Sequence, residues 1–454
     1  MVTTFHCLGR YQVRFLLLEY MMRQKKIICL HVPYERIVRH ALSKPFIDLL
    51  LDRFEVKVLS PFVVTEDDLD YLGLDKRQFI SYETNFSTVQ KSLVQIIDYF
   101  RRYSYFFRNK DKYRLNVFFT LLTGEKYPDI LKYAAKLAVQ TRCDKVFWRL
   151  LDRIFWRLYT PQKILQLDLE CDLFVQFSNW GINDYVIKNT SFARKARRVF
   201  FPYTTDQIYA TGHFLHHFDK IYCQSQVEFE FLDLLHNYHA PAGIAGSLWY
   251  RHIDYLLENE TIAQLEPGTI IYAGVSGEFF PKSSEVNFVN ALQMQFPKNN
   301  VIYLPYFTKN ESTNILDVLD NGIEVRTHET AMTELSTNSA VSMKQSVIKF
   351  LEKINGASLF VMSFNTSMGI DFSYLNKKTV FSYYYDEADQ VKLGHYAKKE
   401  RLQIYGSNYR EVDLAYQFNL PDLDVVKKPA SDRWDCDVEL KKIVDELENL
   451  VKPN

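Results

Sequence analysis

The amino-acid sequence predicts an α/β fold built from two parallel-sheet units. Short apolar segments alternate with segments of helical periodicity, first from residue 26 onward and again from residue 269 onward. A stretch punctuated by Gly and Pro, at residues 246–268, separates the two runs. The length of 454 residues also exceeds what one hydrophobic core usually serves. We therefore expect two domains, residues 1–250 and 251–454.

The first unit opens with a strand, a helix and a second strand. The apolar run KIICLHV (26–32) precedes a helical pattern, and EVKVLSPF follows it. Both strands are apolar enough to be buried, which is typical of a parallel sheet. This βαβ unit lacks GxGxxG, so it does not indicate a dinucleotide site. Three further strand signals continue the unit, namely DLFVQFS (172–178), RVFFPYT (198–204) and KIYCQS (220–225).

Residues 85–160 are predicted to be a helical insertion in the first unit. Aromatic and basic residues are dense here, and residues 101–157 hold 14 Lys/Arg against 5 Asp/Glu. One interpretation is a face that meets an anionic membrane or a lipid phosphate. The other is a helical bundle with an aromatic core stripe and solvated basic flanks. No nucleic-acid-binding module is visible, so we expect no nucleic-acid partner.

The second unit repeats the same alternation. TIIYAGV (269–275), NVIYLPYF (300–307), SLFVMSF (358–364) and KTVFSYYYDE (378–387) are predicted strands with helices between them. The amphipathic segment VELKKIVDELENLV (438–451) is predicted to pack as a late helix.

Charge and cysteine usage narrow the class of protein. The net charge is zero, yet residues 1–160 carry 27 Lys/Arg against 17 Asp/Glu, a balance of +10. The six cysteines form no CxxC pair, which favours reduced thiols in a cytoplasmic protein. The N-terminal apolar patch contains Glu19 and lacks a cleavage site, so we expect no signal peptide. No stretch approaches the roughly 20 apolar residues of a membrane span, and we expect at most contact with the inner membrane face.

The best-defined site signal follows the strand SLFVMSF. Short hydroxyl and amide side chains stand where a helix is predicted to begin, and a helix N-terminus attracts anions. A glycine allows close approach of a ligand, and a carboxylate just inside the helix offers acceptors for sugar hydroxyls. An ordinary Ser/Thr/Asn helix cap explains the same pattern. The candidate donor-binding residues are Ser363, Asn365, Thr366, Ser367, Gly369 and Asp371.

A second candidate for diphosphate binding is the turn after TIIYA. It holds Gly274, Ser276 and Gly277, and two glycines around a serine fit close approach to a diphosphate. An ordinary βα turn fits the same residues.

The order of these segments resembles the GT-B superfamily, which includes glycosyltransferases and UDP-N-acetylglucosamine 2-epimerase. Within that group, residues 358–387 are most similar to the CDP-glycerol glycerophosphotransferase family. The matching residues, in order, are Thr366, Ser367, Asp371, Phe372, Leu375, Asn376, Lys377 and Asp386. The resemblance implies two Rossmann-like domains facing across a cleft, with the nucleotide donor in the C-terminal one and its diphosphate at Thr366 and Ser367.

Two departures from that family bear on the chemistry. Tyr203 and Thr204 stand where the resemblance places a His-Gly pair, and Leu304 and Pro305 stand where it places His-Pro. The expected catalytic histidines are absent, which favours glycosyl transfer over glycerophosphate transfer.

The first unit offers its own candidates in HVPYER (31–36). Ligands meet open α/β sheets at the carboxyl ends of strands, where this segment falls. His31 or Glu35 is the candidate general base, and Tyr34 and Arg36 are the candidate acceptor-binding residues. A solvated or capping role for a loop histidine remains the alternative.

Metal is not expected. The histidines at 213–217, His236 and His239 lack a Cys or carboxylate at helical spacing that would complete a site. The GT-B resemblance likewise implies a metal-free enzyme, with no cofactor beyond the nucleotide-sugar substrate.

These observations predict a glycosyltransferase that uses a nucleotide sugar and acts on a cell-surface polysaccharide or lipid-linked glycan. Two alternatives stay open: a polyol-phosphate transferase of the CDP-glycerol type, and a non-catalytic GT-B relative. Nucleotide preference separates the first two, and absence of nucleotide binding favours the third.

Overall fold

The computed structural model describes the chain in blocks. These are residues 25–62, 64–82, 87–109, 129–144, 169–178, 190–203, 218–235, 240–275, 282–306, 313–320, 322–326, 342–363, 367–376, 380–384, 409–413 and 439–452, with isolated residues at 146, 147, 149, 150, 153, 184, 187 and 208.

Within these residues the first sheet has seven strands, all parallel. They are Lys26–His31 (β1), Phe54–Ser60 (β2), Phe79–Ser81 (β3), Leu173–Gln176 (β4), Arg197–Phe200 (β5), Lys220–Cys223 (β6) and Ala242–Ile244 (β7). Their order is β3-β2-β1-β4-β5-β6-β7, and every pairing is parallel. The first six strands follow the 3-2-1-4-5-6 order of Rossmann-like sheets. In this order the sequence of strands along the sheet reverses between β1 and β4, while all strands remain parallel.

Amphipathic helices pack their apolar faces on the first sheet. Glu35–Ala41 (α1), Lys44–Arg53 (α2) and Glu66–Leu72 (α3) follow the first two strands. Ile37, Phe46 and Leu50 point into the core against Val56 and Val175. Thr65 caps α3 by accepting a hydrogen bond from the Asp68 N–H.

The helical insertion lies between β3 and β4, as predicted. Thr88–Asn109 (α4) packs against Asp129–Gln140 (α5). Val94, Ile97 and Phe100 repeat at helical spacing and face Ala135 across the contact. The insertion therefore has a small core of its own.

The junction between the units contains one long helix. Leu248–Asn259 (α8) is this helix, and it follows β7. Two shorter helices of the first unit, Ser191–Lys195 (α6) and Gln226–Leu235 (α7), precede β7. Ser247 caps α8 by accepting from the Tyr250 N–H, and Gly246 before it has φ of 73°. A glycine is favoured there because L side chains rarely adopt that conformation.

The second sheet has six parallel strands among the described residues. They are Ile270–Ala273 (β8), Val301–Leu304 (β9), Ile323–Val325 (β10), Leu359–Ser363 (β11), Val380–Tyr384 (β12) and Tyr409–Asp413 (β13). Their order is β10-β9-β8-β11-β12-β13, again 3-2-1-4-5-6 when counted within the unit. Its helices are Lys282–Gln295 (α9), Met343–Glu352 (α10) and Ser367–Asn376 (α11), with a 3₁₀ turn at Thr313–Val318.

The last helix returns to the first sheet. Leu440–Leu450 (α12) packs against α2, and its buried side chains join the first core. The Tyr222 hydroxyl of β6 also donates a 2.8 Å hydrogen bond to Glu446 of α12. The predicted domain bounds 1–250 and 251–454 stay a prediction, and α12 belongs by packing to the first sheet.

The two sheets confirm the predicted fold class. The chain is an α/β protein with two Rossmann-like parallel sheets and a helical insertion in the first. Among the described residues, none of the helices has the length and apolar character needed to cross a membrane.

Candidate functional site

The first candidate site lies where the first sheet reverses its strand order. His31 ends β1 and Gln176 ends β4, and their Cα atoms are register partners. Ligands of open α/β sheets bind in the crevice at this point. The structure therefore places the predicted base His31 at the position where the topology predicts a site.

Both ring nitrogens of His31 face polar side chains. Nε2 lies 2.7 Å from the hydroxyl of Tyr82, and Nδ1 lies 3.4 Å from Oδ1 of Asp184. The imidazole is fully buried and stacks on Phe174, with ring centroids 6.0 Å apart. Burial raises the pKa of Tyr82 well above its usual range, so the phenol stays protonated. We assign Tyr82 as donor to Nε2, which leaves Nδ1–H to face Asp184.

Asp184 continues this chain to a fourth group. Ser178, two residues past β4, donates a 2.7 Å hydrogen bond to Oδ2 of Asp184. Both side chains are buried. Ser178, Asp184, His31 and Tyr82 therefore form one connected polar chain, which we call the His31 relay. The sequence pattern did not indicate Asp184 and Tyr82, because neither follows a periodic pattern and only the sheet brings them to His31.

Gln176 adds an unusual polar group beside the relay. Its side chain is fully buried, and neither amide atom has a hydrogen-bond partner among the described residues. Buried amides in proteins are nearly always hydrogen-bonded. Gln176 and His31 are register partners of neighbouring parallel strands, so both side chains lie on the same face of the sheet.

The other first-unit candidates lie at the start of α1. Tyr34 is the N-cap position of α1 and packs, half-buried, against the first core. Glu35 and Arg36 form the first residues of the helix, and their side chains lie outside the described part of the chain. Their predicted roles as base and acceptor-binding residues stay predictions.

The strands that precede the two candidate donor turns are neighbours at the corresponding point of the second sheet. β8 and β11 are neighbours, and Ala273 is the register partner of Met362. Gly274 and Ser363 therefore lie side by side at the carboxyl ends of these strands. Ser367 begins α11, and Gly369 is buried within it. Ser276, Gly277, Asn365 and Thr366 lie outside the described residues, as do the side chains of Ser363 and Ser367.

A buried carboxylate explains the glycine at 274. Any side chain there would collide with Glu285 of α9. Glu285 is fully buried, accepts from the Val275 N–H at 2.9 Å and from the Tyr303 hydroxyl at 2.6 Å, and pairs with Lys282 at 3.1 Å. One N–H that the turn would offer a diphosphate is thus already bound by this carboxylate. The sequence carried a signal for it, an acid on the apolar face of α9.

Asp371 binds the junction helix. One of its oxygens, Oδ1, accepts from the Trp249 indole at 2.9 Å and from the Tyr250 hydroxyl at 3.2 Å. Burial raises its pKa to about 6, against the lowering effects of these two hydrogen bonds and of the Arg39 charge. The guanidinium of Arg39 lies over the Trp249 ring, 5.3 Å from its centroid. Asp371 therefore holds α11 against α8 through one oxygen of the carboxylate that we expected to meet sugar hydroxyls, and its donor-binding role stays a prediction.

Metal ligands do not cluster in the part of the chain that the structure describes. No group of three His, Cys, Asp or Glu side chains there could hold an ion. The histidines at 213–217, His236 and His239 lie outside it.

Comparisons with known proteins return structural likeness only. No family model matches the chain, and no curated protein matches it. Among solved structures, Staphylococcus aureus MnaA with UDP shares 10% identity, covering 84% of this chain and 88% of that chain, with a TM-score of 0.43. UDP-N-acetylglucosamine 2-epimerase from Rickettsia bellii shares 10% identity over 94% of each chain, with a TM-score of 0.45. TcCGT1 in complex with UDP shares 11% identity, covering 94% of this chain and 93% of that chain, with a TM-score of 0.39. Likeness at this level carries no conclusion about activity.

Proposed function

We propose that the chain is a glycosyltransferase that moves a sugar from a nucleotide-sugar donor to a hydroxyl of a surface polysaccharide or lipid-linked glycan. The observation that carries the proposal is the His31 relay at the strand-order reversal of the first sheet. A histidine whose Nδ1 faces a buried carboxylate is a general base held in one tautomer. Glycosyl transfer needs such a base for the acceptor hydroxyl.

In the proposed reaction the acceptor hydroxyl takes the place of the Tyr82 hydroxyl at Nε2 of His31. The acceptor oxygen attacks the anomeric carbon while its proton passes to Nε2. The bond from that carbon to the diphosphate oxygen breaks, and the nucleoside diphosphate leaves with the electron pair. Asp184 stabilises the imidazolium that forms. The buried amide of Gln176, which has no hydrogen-bond partner in the described part of the chain, is proposed to hydrogen-bond a further hydroxyl of the acceptor.

The donor side of the proposal rests on the second sheet. The neighbouring ends of β8 and β11 place Gly274 and Ser363 together, and the N-terminus of α11 follows. Backbone N–H groups and the helix dipole there stabilise the negative charge of the leaving diphosphate. Glu285 limits this role of the Gly274 turn, so we assign the larger share to Ser363, Asn365, Thr366, Ser367 and Gly369.

Glycerophosphate transfer draws less support from the described motif residues. Asn376 donates to the Ile354 and Phe372 carbonyls at 3.0 and 3.2 Å and accepts from the Gly356 N–H at 2.7 Å. Asp371 is bound to Trp249 and Tyr250. Both residues of the CDP-glycerol-type motif therefore have structural partners that explain them without a donor.

The test begins with donor binding by the full chain. Thermal unfolding is followed with UDP, GDP, ADP and CDP, with their sugar conjugates, and with CDP-glycerol. A ligand at 100 times its dissociation constant stabilises the folded state by about 2.7 kcal/mol. Stabilisation by CDP-glycerol alone would favour polyol-phosphate transfer. If no nucleotide stabilises the chain, the non-catalytic alternative replaces the proposal.

Catalysis is then tested by slow hydrolysis of the stabilising nucleotide sugar, with water as acceptor. His31→Gln and Asp184→Asn should each lower the rate by about 10²–10⁴, the range for a general base, without weakening donor binding. Asp172→Asn is the matched control, because Asp172 precedes β4 at the opposite edge of the sheet. An unchanged rate in a folded His31→Gln variant removes His31 from the mechanism.

A further inference from the structure

The helical insertion carries an apolar surface that the fold leaves uncovered. Ile130, Tyr133 and Leu137 of α5 are 73%, 68% and 62% exposed, and their spacing puts them on one face of the helix. Val146, Phe147 and Leu150, which follow α5 along the chain, are 67%, 41% and 50% exposed, although one side of the Phe147 ring packs on Phe100. We call these six residues the α5 surface.

This exposure is not a by-product of poor packing within the insertion. An adjoining face of α5, with Leu131, Ala134 and Ala135, packs against α4. The helix is therefore apolar on two faces, and only one is used inside the chain. Monomeric proteins rarely expose contiguous apolar patches of this kind without a binding role.

The charges around the α5 surface are all positive among the exposed side chains that the structure describes from 130 to 153. They are Lys132, Lys136, Arg142, Arg149 and Arg153. The described acid of this segment, Asp144, is buried and paired with Arg108. An apolar helix face flanked by exposed cations is the pattern of a helix that lies in a membrane interface.

We propose that the α5 surface docks on an anionic lipid bilayer, with Ile130, Tyr133 and Leu137 in the headgroup–acyl boundary and the cations on acidic headgroups. A second copy of the chain is a poorer occupant, because it would bring two clusters of five cations together. A nucleic acid would leave the apolar side chains in water. The inference does not rest on the proposed sugar transfer, since a chain that binds no nucleotide would still present this surface.

The experiment is flotation of the full chain with two kinds of vesicle, one of phosphatidylcholine and one of phosphatidylcholine mixed with phosphatidylglycerol. We expect binding to the mixed vesicles, weak binding to the neutral ones, and release as salt rises. Ile130→Ser with Leu137→Ser, and separately Lys132→Gln with Lys136→Gln, should each lower the partition onto mixed vesicles at least tenfold.

The matched control carries the same kinds of change on the second unit. Met294 is 72% exposed and Lys298 is exposed nearby, so Met294→Ser with Lys298→Gln should leave the partition unchanged. Circular dichroism verifies that each variant is folded. Equal binding to both vesicles, binding to neither, or equal loss in the control overturns the proposal. So does a concentration-dependent dimer that Ile130→Ser with Leu137→Ser abolishes, because a second copy would then cover the surface.

Discussion

Asp371 is a candidate donor-binding residue whose carboxylate is buried in the structure. Its position at the start of a predicted helix made its carboxylate a candidate donor-binding group, while in the structure Oδ1 accepts hydrogen bonds from Trp249 and Tyr250. Arg39 supplies a nearby positive charge, and burial lowers the pKa of its guanidinium while Asp371 raises it. The pKa of Asp371 still rises from 3.8 to about 6, so desolvation outweighs the three stabilising partners.

This raised pKa makes a prediction about stability. Between pH 4 and 6 the folded chain holds a proton on Asp371 that the unfolded chain has released, so the free energy of unfolding falls as pH rises. A shift of two pKa units corresponds to about 3 kcal/mol across that window. Asp371→Asn removes the titration and keeps an oxygen acceptor for Trp249. The free energy of unfolding of Asp371→Asn, measured by urea unfolding, should therefore rise relative to that of the unmodified chain as pH rises from 4 to 7.

Tyr250→Phe is the control for this measurement. It removes one hydrogen bond that lowers the pKa of Asp371, so the loss of stability should extend to higher pH. Parallel pH profiles for the unmodified chain and Asp371→Asn would show that this carboxyl does not titrate in the window.

At the scale of elements, the pattern of apolar residues predicted most of the strands and helices that the structure describes. The strands β1, β8 and β11 contain continuous apolar runs, and such runs are predictable because both faces of a parallel sheet are buried. The short strands β3, β7 and β10 escaped prediction because three residues carry no periodic signal.

The His31 relay was only half predictable for a related reason. His31 ends a readable strand, while Asp184 and Tyr82 reach it through sheet order.

The helix α12 shows what periodicity could and could not predict. Leu440, Ile443, Val444 and Leu447 repeat at helical spacing, which predicted the helix, but not that it packs on the first sheet. Leu447 is fully buried. Leu447→Ala should lower the free energy of unfolding by about 2–5 kcal/mol, the cost of a buried leucine and its cavity. Lys442→Ala on the exposed face should change it by less than about 0.5 kcal/mol.

Chemical denaturation of both variants measures these differences. A Leu447→Ala cost no larger than that of Lys442→Ala would mean that α12 is only loosely attached to the first core.

At the scale of the whole molecule, α3 joins the two sheet units. Asp68 accepts a hydrogen bond from the Met343 N–H at the start of α10. The Tyr71 hydroxyl lies 2.9 Å from Nε2 of His252 on α8. The Lys344 ammonium also lies over the Tyr71 ring, 5.4 Å from its centroid. Burial lowers the pKa of His252 to about 4, so its ring is neutral at physiological pH and bonds Tyr71 without charge. One short helix of the first unit thus holds two helices that belong to the second unit and the junction.

Asp68 yields a prediction about the cooperativity of this attachment. Its carboxylate is fully buried, and burial raises its pKa against the lowering effect of hydrogen bonds from Thr65 and from the backbone at the start of α10. Removing it leaves the Met343 N–H without its acceptor and should lower the free energy of unfolding by about 2 kcal/mol. Because the contact joins the units, Asp68→Ala should also separate their melting into two calorimetric transitions. Asp68→Asn, which keeps an oxygen acceptor, should recover part of the loss, and Asp70→Ala on the exposed face of α3 should have neither effect. A single unshifted transition in Asp68→Ala would mean that the units are held together by the α8 and α12 contacts instead.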